Sequence, residues 1–255
     1  MVLRYVLHDK IEGRIIAAGL MVNFNAPIIA DLAALIGFDF FVMDCEHGPI
    51  GPEAAENMIR AAQAGGIAPL VRISSLEANE ALRFLDLGAG GILFPHVESG
   101  ADARRAVDAV RFPPAGKRGV APGTRAAQYG ATQSFTDYLD TANRHLLVVP
   151  IVETPSGVDA IEEIVQTPGV DVIAIGALDL ATAMGFPGNW AAPQVVDAIG
   201  RTIQAVRAAG KPVLMAGGTA EQLRQLRKLG ADLVMAPFAS WLVPLGRSFL
   251  HEVRA

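Results

Sequence analysis

Several short apolar runs of this 255-residue chain end in polar side chains that can do chemistry. The carboxylates of Glu153 and Asp179 closely follow two such runs, LLVVPIV and VDVIAIG. Two carboxylates without a cysteine or a histidine pair suit an octahedral ion such as Mg²⁺, Mn²⁺ or Co²⁺ better than a structural zinc. The alternative is that both residues cap the helices that follow them. The sequence alone leaves both interpretations open.

A third run, FFVMDCEH, ends in residues suited to proton transfer. His47 is the natural general base, since histidine is the side chain that titrates nearest to neutral pH. Asp44 can orient it if the chain turns after Cys45, and the following Gly-Pro favours such a turn. The alternative is a hydrogen-bonded structural histidine. In a fourth run, PLVRI, the planar guanidinium of Arg72 suits a carboxylate or an enolate oxygen, or an ion pair at the rim.

The positions of the lysines argue against Schiff-base chemistry. The four lysines are Lys10, Lys117, Lys211 and Lys228. None follows a predicted strand, and Lys211 precedes one, so a lysine nucleophile is not expected. Residues 217–219, Gly-Gly-Thr, can hold an anion at a helix N-terminus or form an ordinary turn and cap. We interpret His96 and Cys45 as structural.

Eight apolar runs of strand length recur along the chain, with stretches of helical spacing between them. The predicted strands span residues 15–22, 40–45, 69–73, 91–97, 146–153, 170–176, 212–216 and 232–237. The predicted helices include residues 52–65, 76–88, 100–111, 155–166, 193–210 and 219–230. Continuous apolar strands that alternate with helices predict a closed (β/α)₈ TIM barrel. In such barrels the active site lies at the carboxyl ends of the strands, where the polar residues fall.

Two segments interrupt this repeat. Residues 113–144 are rich in Gly, Pro and polar groups and are long for a plain connection, so we expect a functional loop or part of an interface. The tail, residues 239–255, is expected to form the eighth helix, interrupted or displaced near Pro244 and Gly246. No linker is apparent, and we predict one barrel domain over residues 1–255.

Composition excludes several classes of protein. A net charge of −5 lacks the excess of positive charge that is typical of proteins that bind nucleic acid. Although 51% of the residues are hydrophobic, no uncharged apolar run is long enough to span a membrane. One cysteine suits a reducing compartment, and the early charges at the N-terminus leave no room for a signal peptide, so we expect a cytoplasmic protein.

Five segments together resemble a known family. They read FDFFVMDCEHGP, PLVRI, FPPAGKRGV, PIVETPSG and IGALDLATAMGFPG. Their order and spacing are similar to those of the metal-dependent class II pyruvate aldolases, of the 2-dehydro-3-deoxyglucarate and 4-hydroxy-2-oxoheptanedioate aldolase type. The resemblance covers essentially the whole chain. It implies a barrel of the phosphoenolpyruvate/pyruvate type, and reversible cleavage of 4-hydroxy-2-oxo acids to pyruvate and an aldehyde through a metal-stabilised enolate.

The resemblance also implies roles for particular residues. Glu153 and Asp179 match ligands of a divalent metal, His47 the base, and Arg72 the residue that stabilises the enolate. Asp86 matches an aspartate thought to raise the basicity of the histidine. Because Asp86 ends a predicted helix far from its own barrel mouth, we expect it to act on a neighbouring subunit. Members of the family are typically hexamers with an exchanged C-terminal helix.

The chain departs from the family pattern in two places. Gln is common two residues before the metal-binding glutamate, and here the position is Ile151, on the same inward face. The substrate-binding loop, commonly Gly-Pro-x-Asp, has Gly176, Ala177 and Leu178 before its aspartate. Metal binding should survive both changes, because the carboxylates remain. The two changes affect how the pyruvate donor is placed and how large a substrate fits.

Other functions fit the same residues. Oxaloacetate decarboxylation and cleavage of a CoA ester both stabilise an enolate, and a CoA lyase would need a cationic groove for the nucleotide. A barrel that binds a small oxo acid without turnover is the alternative from another class. The complete set of His47, Arg72, Glu153 and Asp179 argues against a non-catalytic protein.

Overall fold

The computed structural model describes residues 6–13 and 16–255, and these contain a closed parallel barrel. Its strands are β1 (Ala17–Val22), β2 (Phe40–Asp44), β3 (Ala68–Arg72), β4 (Gly91–Phe94), β5 (Leu147–Val152), β6 (Ile173–Ile175), β7 (Val213–Ala216) and β8 (Leu233–Pro237). Each strand pairs with the next in chain order, and β8 pairs with β1. The predicted (β/α)₈ barrel is therefore confirmed. The predicted start of the first strand, Ile15, lies outside the described residues.

Helices connect the strands and surround the barrel. They are α1 (Val6–Glu12), α2 (Pro27–Ile36), α3 (Pro52–Gly65), α4 (Ala78–Asp86), α5 (Gly100–Val110), α6 (Phe135–His145), α7 (Pro155–Asp159), α8 (Ile161–Gln166), α9 (Ala177–Ala183), α10 (Pro193–Ala208), α11 (Ala220–Leu229) and α12 (Phe238–Arg254). The stretch 155–166, predicted as one helix, forms two, because the backbone of Ala160 leaves the helical region between them.

The apolar runs of the strands build two packed layers. Side chains that point into the barrel, among them Phe40, Val149 and Leu214, pack with one another. Their neighbours along the strands, such as Phe41 and Val148, pack against the surrounding helices. Successive residues of a strand point to opposite faces, so a strand buried on both faces must be apolar throughout.

The two irregular segments are more ordered than the sequence predicts. Residues 113–144 include nearly all of α6. The hydroxyl of Ser134 caps this helix by accepting a hydrogen bond from the N–H of Asp137, and the helix buries Tyr138 and Ala142. The expected interruption near Pro244 is wrong, because α12 is continuous through it. A proline removes one intrahelical hydrogen bond, and the turns on either side keep this helix intact.

Several helices leave large apolar side chains in solvent. On α2 these are Ile28, Leu32, Leu35 and Ile36, and on α12 they are Leu242, Val243, Leu245, Phe249, Leu250 and Val253. No residue of α12 is fully buried, although Phe238 and Trp241 in its first turn pack against the core. In the part of the chain that the structure describes, no helix combines the length and apolarity needed to cross a bilayer.

Candidate active site

Asp44 and Arg72 form an ion pair at the carboxyl ends of β2 and β3. They are register partners in the sheet, so the strand pairing itself brings them together. Arg72 donates from Nε to Oδ1 of Asp44 at 2.9 Å and from Nη2 to Oδ2 at 2.7 Å. Burial alone would raise the pKa of Asp44, but the hydrogen bonds and charge of Arg72 outweigh it and hold that pKa below its usual value. Asp44 is therefore ionised and Arg72 is fixed in orientation.

The chain turns immediately after β2, as predicted. Oδ1 of Asp44 accepts hydrogen bonds from the backbone N–H groups of Glu46 and His47, at 3.3 and 3.2 Å. A Cβ on Gly48 would lie 2.4 Å from the carbonyl oxygen of Asn23, so only glycine fits this turn. The carboxylate of Asp44 thus holds the backbone N–H of His47, not its imidazole. The side chain that pairs with this carboxylate is Arg72. The imidazole of His47 is exposed, with Nε2 3.8 Å from Oε2 of Glu46.

Glu153 follows β5 and is buried beside the backbone of two neighbouring segments. Its Oε1 accepts a hydrogen bond of 2.8 Å from the N–H of His96. A Cβ on Gly176 would lie 2.7 Å from its Oε2, so the absence of a side chain at Gly176 makes room for the carboxylate. Burial raises the pKa of Glu153, and the negative charges of Asp179 and Glu46 raise it further. Three carboxylates therefore share one region of the mouth.

The helix-cap interpretation fails for both Glu153 and Asp179. The N-cap of α7 is Thr154, whose hydroxyl accepts the N–H of Gly157. Asp179 lies inside the first turn of α9, and the N-cap there is Gly176, which has no side chain. These carboxylates are therefore free to serve another purpose.

Two residues without a predicted role also lie at this site. The imidazole of His96 has Nδ1 3.2 Å from Oε1 of Glu153 and Nε2 3.7 Å from Oε1 of Glu46. Glu46 also approaches Nε of Arg72, at 3.3 Å. His96 has a φ of 52°, which is uncommon for a residue with a side chain and turns its N–H toward Glu153. The sequence signal was available, because Glu46 directly follows one predicted strand and His96 lies near the end of another.

The donor set at the mouth fits a hard divalent cation. Glu153 and Asp179 offer carboxylate oxygens, which such ions prefer, and a bound cation would relieve the repulsion that raises the pKa of Glu153. Among the described residues, no group of three or more His, Cys, Asp or Glu has the arrangement of a metal site. Two protein ligands leave the other positions of such an ion to water and substrate, as Mg²⁺ commonly requires.

The remaining predicted site residues occupy different places. Ala177 and Leu178 begin α9 beside the mouth, and Leu178 is 57% exposed. Ile151 points into the barrel, where it is packed among apolar side chains. Asp86 ends α4, at the end of the barrel opposite the mouth, and its Oδ1 accepts a hydrogen bond of 2.8 Å from Arg118. The structure therefore does not bring Asp86 near His47 of the same chain.

Three other groups take no part in this arrangement. Burial raises the pKa of the Cys45 thiol to about 12, so it stays protonated and is not a nucleophile. Lys211 donates to the carbonyl oxygen of Val170 at the amino end of the barrel. Thr219 is an ordinary N-cap, accepting the N–H of Gln222, so residues 217–219 form the turn that was the alternative to an anion site.

A cavity of about 810 Å³ lies at the opposite, amino end of the barrel. The described residues of its lining include Gln63, Arg125, Tyr129 and two histidines, together with small and apolar residues, and no carboxylate is among them. It therefore cannot supply the oxygen ligands found at the mouth. The mouth remains the candidate active site, in agreement with the usual position in TIM barrels.

The chain is similar to known proteins along most of its length. The profile of the HpcH/HpaI aldolase/citrate lyase family matches residues 17–238. A hydroxypyruvate/pyruvate aldolase of Sagittula stellata is 40% identical over 181 residues, 71% of this chain and 70% of that protein. A 5-keto-4-deoxy-D-glucarate aldolase of Salmonella arizonae is 34% identical over 209 residues, 82% of this chain and 80% of that protein.

A solved structure shows the same barrel. It is a HpcH/HpaI aldolase/citrate lyase family protein from Burkholderia cenocepacia, with a TM-score of 0.92 and 35% identity over 98% of this chain and 99% of that one. A closed barrel with its polar groups at the carboxyl ends of the strands defines a TIM-barrel enzyme. More particularly, the chain belongs to the HpcH/HpaI aldolase/citrate lyase family, and its prediction as an aldolase is confirmed.

The ion pair between Asp44 and Arg72 gives a prediction for stability. Asp44→Asn should lower the free energy of unfolding by about 3 kcal/mol at neutral pH, because it leaves a buried guanidinium without its partner. The pKa of Asp44 is lowered in the folded chain, so its contribution is complete above the carboxyl pKa of the unfolded chain, about 3.9. It is lost as the pH falls through the lower, folded value.

Urea unfolding of both proteins at several pH values measures this difference. It should shrink on acidification below about pH 4. Asp197→Asn is the matched control, since Asp197 forms an exposed ion pair with Arg201 and its loss should change stability by less than about 0.5 kcal/mol. If the free energies of unfolding of Asp44→Asn and of the parent chain differ by the same amount at every pH, Asp44 is not the ionised partner of Arg72.

Proposed function

We propose that this aldolase cleaves 4-hydroxy-2-oxo acids to pyruvate and an aldehyde, reversibly, with a divalent metal held by Glu153 and Asp179. The observation that carries the proposal is the convergence of these carboxylates with the Asp44–Arg72 pair at one barrel mouth. Members of this family generally depend on a divalent metal. Mg²⁺, Mn²⁺ and Co²⁺ all accept oxygen ligands of this kind. When bound, the ion supplies Lewis-acid stabilisation of negative charge on the keto oxygen.

Arg72 binds the oxo acid and stabilises the enolate. Two of its five N–H donors are used by Asp44, so donors remain for a substrate oxygen. Its fixed orientation is an advantage, because a preorganised cation need not move as charge develops. Asp44 and Glu46 lie against the same guanidinium, and Asp44 acts as the residue that positions it.

His47 is the general base in cleavage. His47 removes the proton from the C4 hydroxyl, and the C3–C4 bond then breaks. The electron pair of that bond forms the enolate of pyruvate, and C4 leaves as the carbonyl carbon of the aldehyde. Protonation of C3 then gives pyruvate. In the reverse direction, His47 removes a methyl proton of pyruvate, C3 of the resulting enolate attacks the aldehyde carbon, and protonated His47 gives its proton to the new alkoxide. The exposed imidazole of His47 leaves it accessible to a substrate that enters the mouth.

The same site argues against cleavage of a CoA ester. The nucleotide of CoA carries several phosphate charges, for which arginine and lysine are the usual partners. No lysine or arginine occurs between the end of any strand and the first turn of the following helix. Decarboxylation of oxaloacetate would use the same enolate and therefore fits the site as a side reaction.

We further infer that the chain forms a homo-oligomer, a hexamer by resemblance to its family, with α12 exchanged between subunits. The exposed apolar side chains of α2 and α12 support this inference, since a contiguous apolar surface of this kind usually marks an interface. In such an assembly Asp86 of one subunit would approach His47 of another. The cytoplasmic location and the division into one domain stay predictions.

Removal of the metal should abolish the reaction. After treatment with a chelator and dialysis, we expect no release of pyruvate from a 4-hydroxy-2-oxo acid, and recovery on addition of Mg²⁺, Mn²⁺ or Co²⁺. Glu153→Gln and Asp179→Asn should not recover at the same metal concentration. Full activity of the metal-free protein would overturn the proposed mechanism.

Replacement of the base should affect the chemical step more than metal binding. His47→Ala should lower kcat by about 10²–10⁴-fold and leave metal affinity unchanged, because His47 is not a ligand. Steady-state kinetics and calorimetric titration of the metal measure the two quantities. Asp197→Ala, in an exposed ion pair on α10, is the control. An unaltered kcat in His47→Ala would exclude His47 as the base.

The mass in solution tests the oligomer. Light scattering should give a multiple of 26.8 kDa, near six chains. Val253→Asp together with Phe249→Asp should reduce that mass, because it places charge on the apolar face of α12. Arg201→Glu, which adds negative charge to an exposed position on α10, should not. A monomeric parent chain would refute the inference.

A further inference from the structure

The hydrogen-bond ladder between β4 and β5 changes its alignment just after β4 ends. The two strands pair in register over four residues, up to Phe94 on β4. The N–H of Leu147 donates to the carbonyl oxygen of Gly90, which sets the alternation of hydrogen bonds in this parallel pair. If that alternation continued beyond the strand, the carbonyl oxygen of Ile151 would accept the N–H of His96.

The chain instead contains one extra residue at this point. The carbonyl oxygen of Ile151 accepts the N–H of Val97, at 3.2 Å. The N–H of His96 leaves the ladder and donates to Oε1 of Glu153, at 2.8 Å. His96 has a φ of 52°, in the left-handed region that few residues with side chains adopt. A one-residue bulge of this kind redirects a backbone group, and bulges are frequent beside active sites.

His96 approaches Glu153 with its backbone and with its ring, and the two contacts differ in exposure. The side chain of His96 is 65% exposed, whereas that of Glu153 is 3% exposed. Nδ1 of the ring lies 3.2 Å from the same Oε1 that already accepts the N–H. A contact made by an exposed side chain is weak, because water competes for it. The backbone hydrogen bond is therefore the stronger of the two.

The other oxygen of this carboxylate is also confined. A Cβ on Gly176 would lie 2.7 Å from Oε2 of Glu153, so the backbone at Gly176 borders that oxygen closely. His96 thus holds one oxygen and Gly176 limits the other. All three residues belong to one chain, and the carboxylate is buried within it, so this arrangement does not depend on a neighbouring subunit.

We propose that His96 is a positioning residue for the divalent metal, and that it acts through its left-handed backbone rather than through its imidazole. Its N–H holds Oε1 of Glu153, so that the carboxylate keeps the orientation in which it binds the cation. Loss of a group that orients a metal ligand typically weakens metal binding by about 10–100-fold. The proposal rests on the proposed function, in which Glu153 is a metal ligand.

A series of substitutions at position 96 separates the backbone from the side chain. Glycine adopts a positive φ without strain, asparagine adopts it more readily than most residues, and a β-branched residue disfavours it. The Kd of Mn²⁺, measured by calorimetric titration, should therefore stay within about twofold of the parent value in His96→Gly and His96→Asn. In His96→Val it should rise by at least about tenfold, because the segment leaves the left-handed conformation and its N–H no longer holds Glu153.

Controls separate this effect from a general loss of stability. Urea unfolding shows whether each variant is folded. Asp197→Val places a β-branched residue at an exposed position on α10 and should leave the Kd unchanged. If His96→Val does not fold, His96→Ala replaces it, because alanine lacks the imidazole as glycine does but disfavours a positive φ. Its Kd should exceed that of His96→Gly by at least about threefold.

Two results would overturn the proposal. If His96→Gly binds Mn²⁺ as weakly as His96→Val, the imidazole is the group that acts. If His96→Val binds Mn²⁺ as tightly as the parent chain, the backbone conformation of this residue has no role in metal binding.

Glu153→Gln distinguishes failure of the positioning role from failure of the proposed function. If Glu153→Gln binds Mn²⁺ much more weakly than the parent chain while the Kd is the same throughout the position-96 series, only the positioning role fails. If Glu153→Gln binds Mn²⁺ as tightly as the parent chain, the metal site of the proposed function fails, and the positioning role fails with it.

Discussion

The pair between Asp44 and Arg72 is the interaction on which the rest of the site depends. It is fixed by the sheet, because the two residues are register partners on adjacent parallel strands. Both are largely buried, and a buried guanidinium is tolerable only with such a partner. The same carboxylate ties down the turn that carries Glu46 and His47. One ionised group thus determines the orientation of a cation on one side and of a turn on the other.

A second fixed point lies across the mouth at Glu153. Its carboxylate is held by a backbone N–H of His96 and fits against Gly176, so segments after β4, β5 and β6 meet there. The two fixed points are linked by Glu46, which lies near both Arg72 and His96. This arrangement keeps acidic groups close together in a partly buried site, which favours binding of a cation. It also explains why Glu153, unlike Asp44, has a raised pKa.

The predictable parts of this site follow from strand geometry. Apolar runs locate the strands, parallel pairing aligns their ends, and Asp44, Arg72 and Glu153 were therefore expected at one mouth. The roles of Glu46 and His96 depend instead on the backbone after the strand ends, including a left-handed conformation that no residue pattern indicated. The partner of Asp44 was expected to be His47, and the carboxylate faces Arg72, because a turn directs side chains less predictably than a sheet. The continuous α12 was missed because Pro244 usually marks a break.

The order of the segments around the barrel has a consequence for how the protein can change. The residues proposed for catalysis and metal binding come from one stretch of the chain, from Asp44 to Asp179, whereas β1, β7 and β8 lie outside it on both sides. Because the barrel closes β8 onto β1, these two flanking stretches meet in space. Recombination or drift in the terminal parts of the gene therefore changes the flanking strands and the loops that follow them, while the segment with the proposed catalytic residues stays intact. Such a division would let related enzymes diversify in substrate without rebuilding their chemistry.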